Sequence, residues 1–135
     1  MPETHTYTIH VGASAIDANG HVNNVEFVRW MQEAAVSHAD ARGCTAATKE
    51  AGAMWVVRSH QIEYSRPAFA GDQIDVRTWV ADFRRAFSLR KYEFIRASDK
   101  TVLAKGETDW VFVDAKTGRP KSIPEPIIAM FEVSG

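Results

Sequence analysis

The chain has 135 residues, 45% of them hydrophobic, which suits one compact domain with a real core and is short for two. Its 16 basic and 17 acidic side chains nearly cancel, which argues against bulk nucleic-acid binding. No apolar run approaches the roughly 20 residues needed to span a bilayer, and the first ten residues are polar and alternating rather than signal-like.

The opening "HTYTIHV" alternates, with Tyr7, Ile9 and Val11 on one side and Thr6, Thr8 and His10 on the other. That is the pattern of a half-buried strand. A loop over residues 12–22 follows, and then a helix over about 24–41. Its polar positions Glu26, Arg29, Glu33, Ser37 and Asp40 fall on one narrow stripe, with Trp30 at its edge. Val25, Phe27, Val28, Met31, Ala34, Ala35, Val36 and Ala39 cover most of the remaining surface, so the helix is expected to be largely enclosed.

Past Gly43 and Gly52 the chain reads as strand. "MWVVRSHQIEYSRP" is rich in β-formers and ends at Pro67. "DQIDVRTWVADF" sets Ile74, Val76, Thr78 and Val80 against Asp75, Arg77, Trp79 and Ala81. "FSLRKYEFIRA" and "TVLAKGETDWVFVD" are joined by the turn "SDKT", and "AKTGRP" is a further turn before a short final helix. One long apolar helix and five antiparallel strands predict an α+β fold in a single domain over 1–135, with the sheet wrapped around the helix in a hotdog arrangement. Such a sheet leaves edges to be covered, which predicts a homodimer or homotetramer. Cys44 is alone, so no internal disulfide is possible, and a reducing, cytoplasmic setting is expected. In "RGCTAAT" it reads as a small structural thiol.

The helix is preceded by "SAIDANGHVNN", which holds more chemistry than a surface turn needs. Asn23 suits the N-cap, and Glu26 three residues on completes an Asn-x-x-Glu box. Asn24 would then be the first helical residue, its N–H left over for an oxyanion. Gly20 lets the loop fold back, so Asp17 and that N–H can face the same carbonyl. The plainer reading is ordinary turn-and-cap chemistry, with Asn19 and His21 as loop residues.

"DANGHVNNVEFVRWMQEA" resembles the signature of hotdog acyl thioesterases, both the relatives of 4-hydroxybenzoyl-CoA thioesterase and the plant acyl-carrier-protein thioesterases. "IEYSRPAFAGDQIDVRTWV", "FRRAFSL" and "TDWVFVDAKTGRPKSIP" read like later strands of the same family. The resemblance implies an acyl-CoA thioester hydrolase, with acyl carrier protein as the other carrier. Asp17 matches the carboxylate that attacks the thioester or activates water. Asn24 matches the position whose N–H polarises the carbonyl. Asn19 and His21 match supporting side chains of the plant branch, while the position of His21 is apolar in the other branch. Pro67 stands where the plant branch has a further glutamate. Arg84 and Arg85 match a basic cluster that contacts coenzyme A phosphates, with Ala86 in place of its lysine. No cofactor or metal is expected, because no His, Cys, Asp and Glu set has ligand spacing.

Two other readings stand beside this one. Hotdog hydratases of enoyl thioesters resemble Asp-x-Asn-Pro-x-His, whereas Asn19 here is followed by Gly20 and His21. A non-catalytic acyl-binding module would keep the helix and need no Asp17.

Overall fold

The computed structural model describes residues 3–131. Strand β1 (His5–His10) leads into the loop and helix α1 (Asn24–Ala41). A second helix, α2 (Cys44–Glu50), precedes β2 (Ala53–Tyr64), β3 (Gln73–Arg84), β4 (Phe87–Arg96) and β5 (Val102–Asp114), and a short α3 (Glu125–Ala129) follows. The strands form one sheet in the order β1-β3-β4-β5-β2, with every neighbour antiparallel. The expected α+β hotdog arrangement is therefore the fold. No helix among the described residues is long and apolar enough to cross a membrane.

Helix α1 lies on the face of the sheet that presents Ile74, Val76, Tyr92, Phe94, Leu103 and Ala104. It buries Phe27, Trp30, Met31, Ala34, Ala35 and His38, which recur at the three-and-four spacing of one helical face. Contact is close at Gly106 of β5, where an added Cβ would stand 3.0 Å from Met31 Sδ. A Cβ there would make the end of the Met31 side chain give by a few tenths of an ångström. A second cluster, Cys44, Ala53, Val80, Phe112, Ile123, Ile127 and Phe131, fills the other end beneath α2 and α3.

Three details depart from the sequence reading. Helix α1 is not enclosed all round: Val25 and Val36 are 72% and 53% exposed, and they share an outward stripe with Arg29, Gln32 and Asp40. Glu33 and Ser37 are instead half-buried, where they meet Tyr7 and His5. Helix α2 was unforeseen: its seven residues, "CTAATKE", are too short to show a periodicity. The Asn-x-x-Glu box is only half formed. Asn23 Oδ1 accepts from the Val25 N–H at 3.0 Å, but Glu26 turns to Arg29, and the Asn23 N–H donates to the Ala15 carbonyl.

Both edges of the sheet, β1 and β2, end in open backbone. The β2 edge is the longer at 12 residues, and Met54, Val56 and Tyr64 on it are exposed.

Candidate active site

The segment 15–23 closes as a tight hairpin in front of α1. Ile16 bridges Val22, the Asp17 N–H donates to the His21 carbonyl at 2.8 Å, and the Asn23 N–H to the Ala15 carbonyl at 2.8 Å. Gly20 sits at φ +77°, a backbone conformation that glycine takes without a Cβ penalty. The Val22 N–H bonds the Ala68 carbonyl at 2.8 Å, which ties the hairpin to the segment after β2.

Asp17 is half-buried at this hairpin's tip. Its Oδ1 accepts from the Asn19 N–H at 2.9 Å and more weakly from the His21 N–H at 3.4 Å. Its Oδ2 meets no donor among the described residues. One oxygen thus fixes the carboxylate. Asn24 begins α1, and its N–H likewise meets no acceptor among the described residues, while the next two N–H groups are taken by Asn23. The Tyr64 hydroxyl donates to the Asn24 carbonyl at 3.0 Å and pins the helix start to the end of β2. The His21 ring is exposed and stands edge-on to Phe69 at 5.4 Å, and Asn19 is exposed at the tip. So Asp17, Asn19 and His21 share one hairpin, and Asn24 begins the helix that it leads into. Asn23→Ala removes only the cap. It should cost about 1 kcal/mol of stability and little chemistry, which thermal melts and kinetics on one preparation would check.

Arg84 and Arg85 lie elsewhere. β3 starts at Gln73, paired with His10 beside the entrance, and ends at Arg84, so the two sites are roughly 35 Å apart along the strand. Arg84 is committed to carboxylates, bonding Asp82 at 3.1 Å and Asp109 through Nη2. Arg85 occupies the β3–β4 turn at φ 54°, exposed, and its side chain has no partner among the described residues.

The sequence reading missed a cavity of about 450 Å³ under the C-terminal half of α1. Ala35, Ala39, Cys44, Trp55, Val80 and Trp110 form apolar walls, and the exposed Val36, Thr45, Lys49 and Met54 mark its mouth. Burial pushes the Cys44 thiol above its ordinary pKa and makes it a poor nucleophile. Arg90, 5% exposed, is in the same wall. The signal was in β4, where Arg90 shares the inward phase of Ser88, Tyr92 and Phe94.

Arg90 Nη1 donates to His38 Nδ1 at 2.9 Å and to Thr78 Oγ1 at 3.1 Å. His38 must then be the Nε2–H tautomer, donating to Glu3 Oε1 at 2.9 Å. Burial first, and the Arg90 charge second, lower the His38 pKa to about 4. The unfolded chain therefore binds more protons than the folded one between about pH 6.5 and 4. Stability from this group is complete above pH 6.5 and lost as pH falls toward 4. Melting temperature should drop across that window, and His38→Gln should flatten the drop.

The sequence matches the Thioesterase-like superfamily over residues 11–131. The chain belongs to that superfamily. A palmitoyl-acyl carrier protein thioesterase of chloroplasts from Cuphea hookeriana is 27% identical over 104 residues, which cover 72% of this chain and 25% of that protein. A 1,4-dihydroxy-2-naphthoyl-CoA thioesterase from Synechocystis superposes with a TM-score of 0.85 at 21% identity, over 95% of each chain. An acyl-ACP thioesterase from Bacteroides thetaiotaomicron gives 0.86 at 22% identity, over 97% of this chain and 54% of that one. At such identities the structural likeness speaks for the hotdog fold. The chain spans about a quarter of the plant enzyme.

Proposed function

We propose that this superfamily member hydrolyses acyl thioesters, releasing a carboxylic acid and a free thiol, with coenzyme A as the carrier and acyl carrier protein as the alternative. The observation that carries this reading is the pairing at the helix entrance. A carboxylate held by its own loop keeps one oxygen free among the described residues, near a helix N-terminus whose first N–H meets no acceptor among them. That N–H and the partial positive charge of the helix end suit an oxyanion growing on the thioester carbonyl. Asp17 Oδ2 attacks the carbonyl or draws a proton from the attacking water. Asn19 and His21, at the loop tip, border the incoming thioester. The C–S bond then breaks and the thiolate takes the proton given up by water; where Asp17 itself attacks, water hydrolyses the resulting acyl-Asp17 anhydride in a second step and supplies that proton.

The active unit in this reading is a pair of chains joined at β2. One end of β2 carries Tyr64, bonded to the helix entrance, and the other carries Ala53, Met54 and Trp55, which line the cavity. Two-fold antiparallel pairing of β2 strands lays each Tyr64 end beside the partner's cavity end. It also covers the exposed Val36, Met54, Val56 and Tyr64. The acyl chain would then enter the cavity of one protomer while the thioester meets Asp17 of the other. The same two-fold carries the arginine turn of one chain toward the partner's entrance. Thiol release from a panel of short, long, branched and aryl acyl-CoAs tests the reading, and silence across the whole panel would contradict it.

Phosphate contact falls to Arg85 more than to Arg84, which is already held by two carboxylates. Arg85→Ala should raise KM for acyl-CoA about three- to tenfold with kcat nearly unchanged, because a remote contact binds ground and transition states alike. The effect should shrink at high salt and vanish for a truncated thioester without the nucleotide. Arg84→Ala should act mainly on stability.

A further inference from the structure

The cavity beneath α1 is apolar in composition, yet its wall includes a buried guanidinium that the fold itself does not fully use. Arginine offers five N–H donors in a planar fork. Two of the Arg90 donors, both on Nη1, are taken by His38 and Thr78, and the ring of Phe131 lies 5.6 Å from its guanidinium carbon. The donors on Nε and Nη2 meet no acceptor among the described residues. No carboxylate touches the guanidinium there either: Glu3 stands one residue removed, behind the neutral His38. Trp110 is in the same wall, but its indole N–H is buried beside the Tyr92 hydroxyl and does not open on the chamber. A buried charge is ordinarily paired or hydrogen-bonded in full. Here an apolar chamber holds the unused donors of one buried guanidinium, and the exposed Val36, Thr45, Lys49 and Met54 mark its mouth.

We propose that Arg90 reads the far end of the acyl chain, selecting chains that end in a carboxylate over their neutral counterparts. A chain entering tail-first lays its methylenes along Ala35, Ala39, Trp55 and Val80, and its terminal carboxylate takes the free edge of the Arg90 fork. His38, as the neutral Nε2–H tautomer, accepts from Nη1 and so holds the fork in place; it is a positioning residue. Being neutral, it adds no second cation to the site. Ser88, on the same wall, spends its hydroxyl proton on the Asp82 carbonyl at 3.0 Å, which leaves Arg90 as the donor to the chain terminus. The volume of about 450 Å³ suits an acyl chain of medium length.

This proposal rests on the thioester-hydrolysis reading, and two measurements keep the two apart. The first compares kcat/KM of the wild-type enzyme for octanoyl-CoA and suberyl-CoA, which differ by a terminal methyl against a terminal carboxylate. Suberyl-CoA should be favoured about tenfold or more, the scale of a charge-assisted bond to a buried partner. In Arg90→Met that ratio should collapse to one or below, and Arg90→Lys should restore part of it. The second measurement needs no turnover: calorimetric titration of the wild-type protein with monomethyl suberate and with dimethyl suberate. The charged ester should bind about tenfold more tightly, and Arg90→Met should lose the difference. Should Arg90→Met fail to fold, the two wild-type comparisons still decide. Equal or reversed preference for the neutral chain overturns the proposal, and means that Arg90 serves only to brace His38 and Thr78. Charge-selective binding without cleavage of any thioester would uphold the anion site and contradict the hydrolysis reading instead.

Discussion

Asp17→Asn is expected to remove turnover on every thioester the protein accepts, by at least about a hundredfold in kcat. The amide keeps the shape of the carboxylate, and its Oδ1 can still accept from the Asn19 and His21 N–H groups, so the hairpin should stay closed. What it loses is the anionic second oxygen, the proposed nucleophile or base. No other carboxylate lies in the hairpin 15–23 to take over. Thermal melts that match the wild type, together with a flat thiol-release trace, are the predicted result. Near-native kcat in a folded variant would move the chemistry to another residue.

Phe27→Ala should produce the largest loss of stability. Phe27 is 2% exposed and sits in the first turns of α1, edge-on to Trp30, Tyr64 and Phe94 at 5.1–5.3 Å. Truncation removes its buried area and leaves a cavity among three rings that cannot collapse together, a cost of about 3–5 kcal/mol. For a domain of this size, that lowers the melting temperature by roughly 10–20 °C. Because Tyr64 also bonds the Asn24 carbonyl, the helix start should loosen, so kcat should fall even at temperatures where the variant remains folded. Denaturant melts with a loss under about 1 kcal/mol would show that the entrance is braced from elsewhere.

Much of the fold was legible because its elements are long and their periods clean. Residues 24–41 repeat apolar positions at helical spacing, and β3 alternates without a break from Ile74 to Val80. The entrance was legible for a different reason: Asp17, Gly20, Asn23 and Asn24 are close in sequence, so a local hairpin suffices to assemble them. What stayed hidden depends on contacts distant in sequence. Val25 and Val36 read as core because apolar residues usually are, but they flank the open β2 edge, which suits an interface. Glu26 suited a capping box, yet Arg29 competes for it and the Asn23 N–H is claimed by Ala15. Arg84 read as free for phosphate until Asp109, 25 residues away, was placed opposite it. Arg90 stands beside Lys91 in sequence, and only its alternation phase sets it apart, with Tyr92 and Phe94. The distance between Asp17 and the cavity was also invisible, since only the register of the sheet places them at opposite ends of one chain.

That separation makes subunit complementation the most direct test. Asp17→Asn lacks the carboxylate, and Ala39→Phe places a ring on a position that lines the cavity. Each variant alone should be inactive toward acyl-CoA. Co-expressed, random pairing should yield mixed dimers in which one of the two sites combines an intact Asp17 with an open cavity, restoring about a quarter of wild-type thiol release. Recovery near that level is the predicted result, whereas no recovery from dimers shown to be mixed would mean that entrance and cavity do not combine across chains to hydrolyse a thioester.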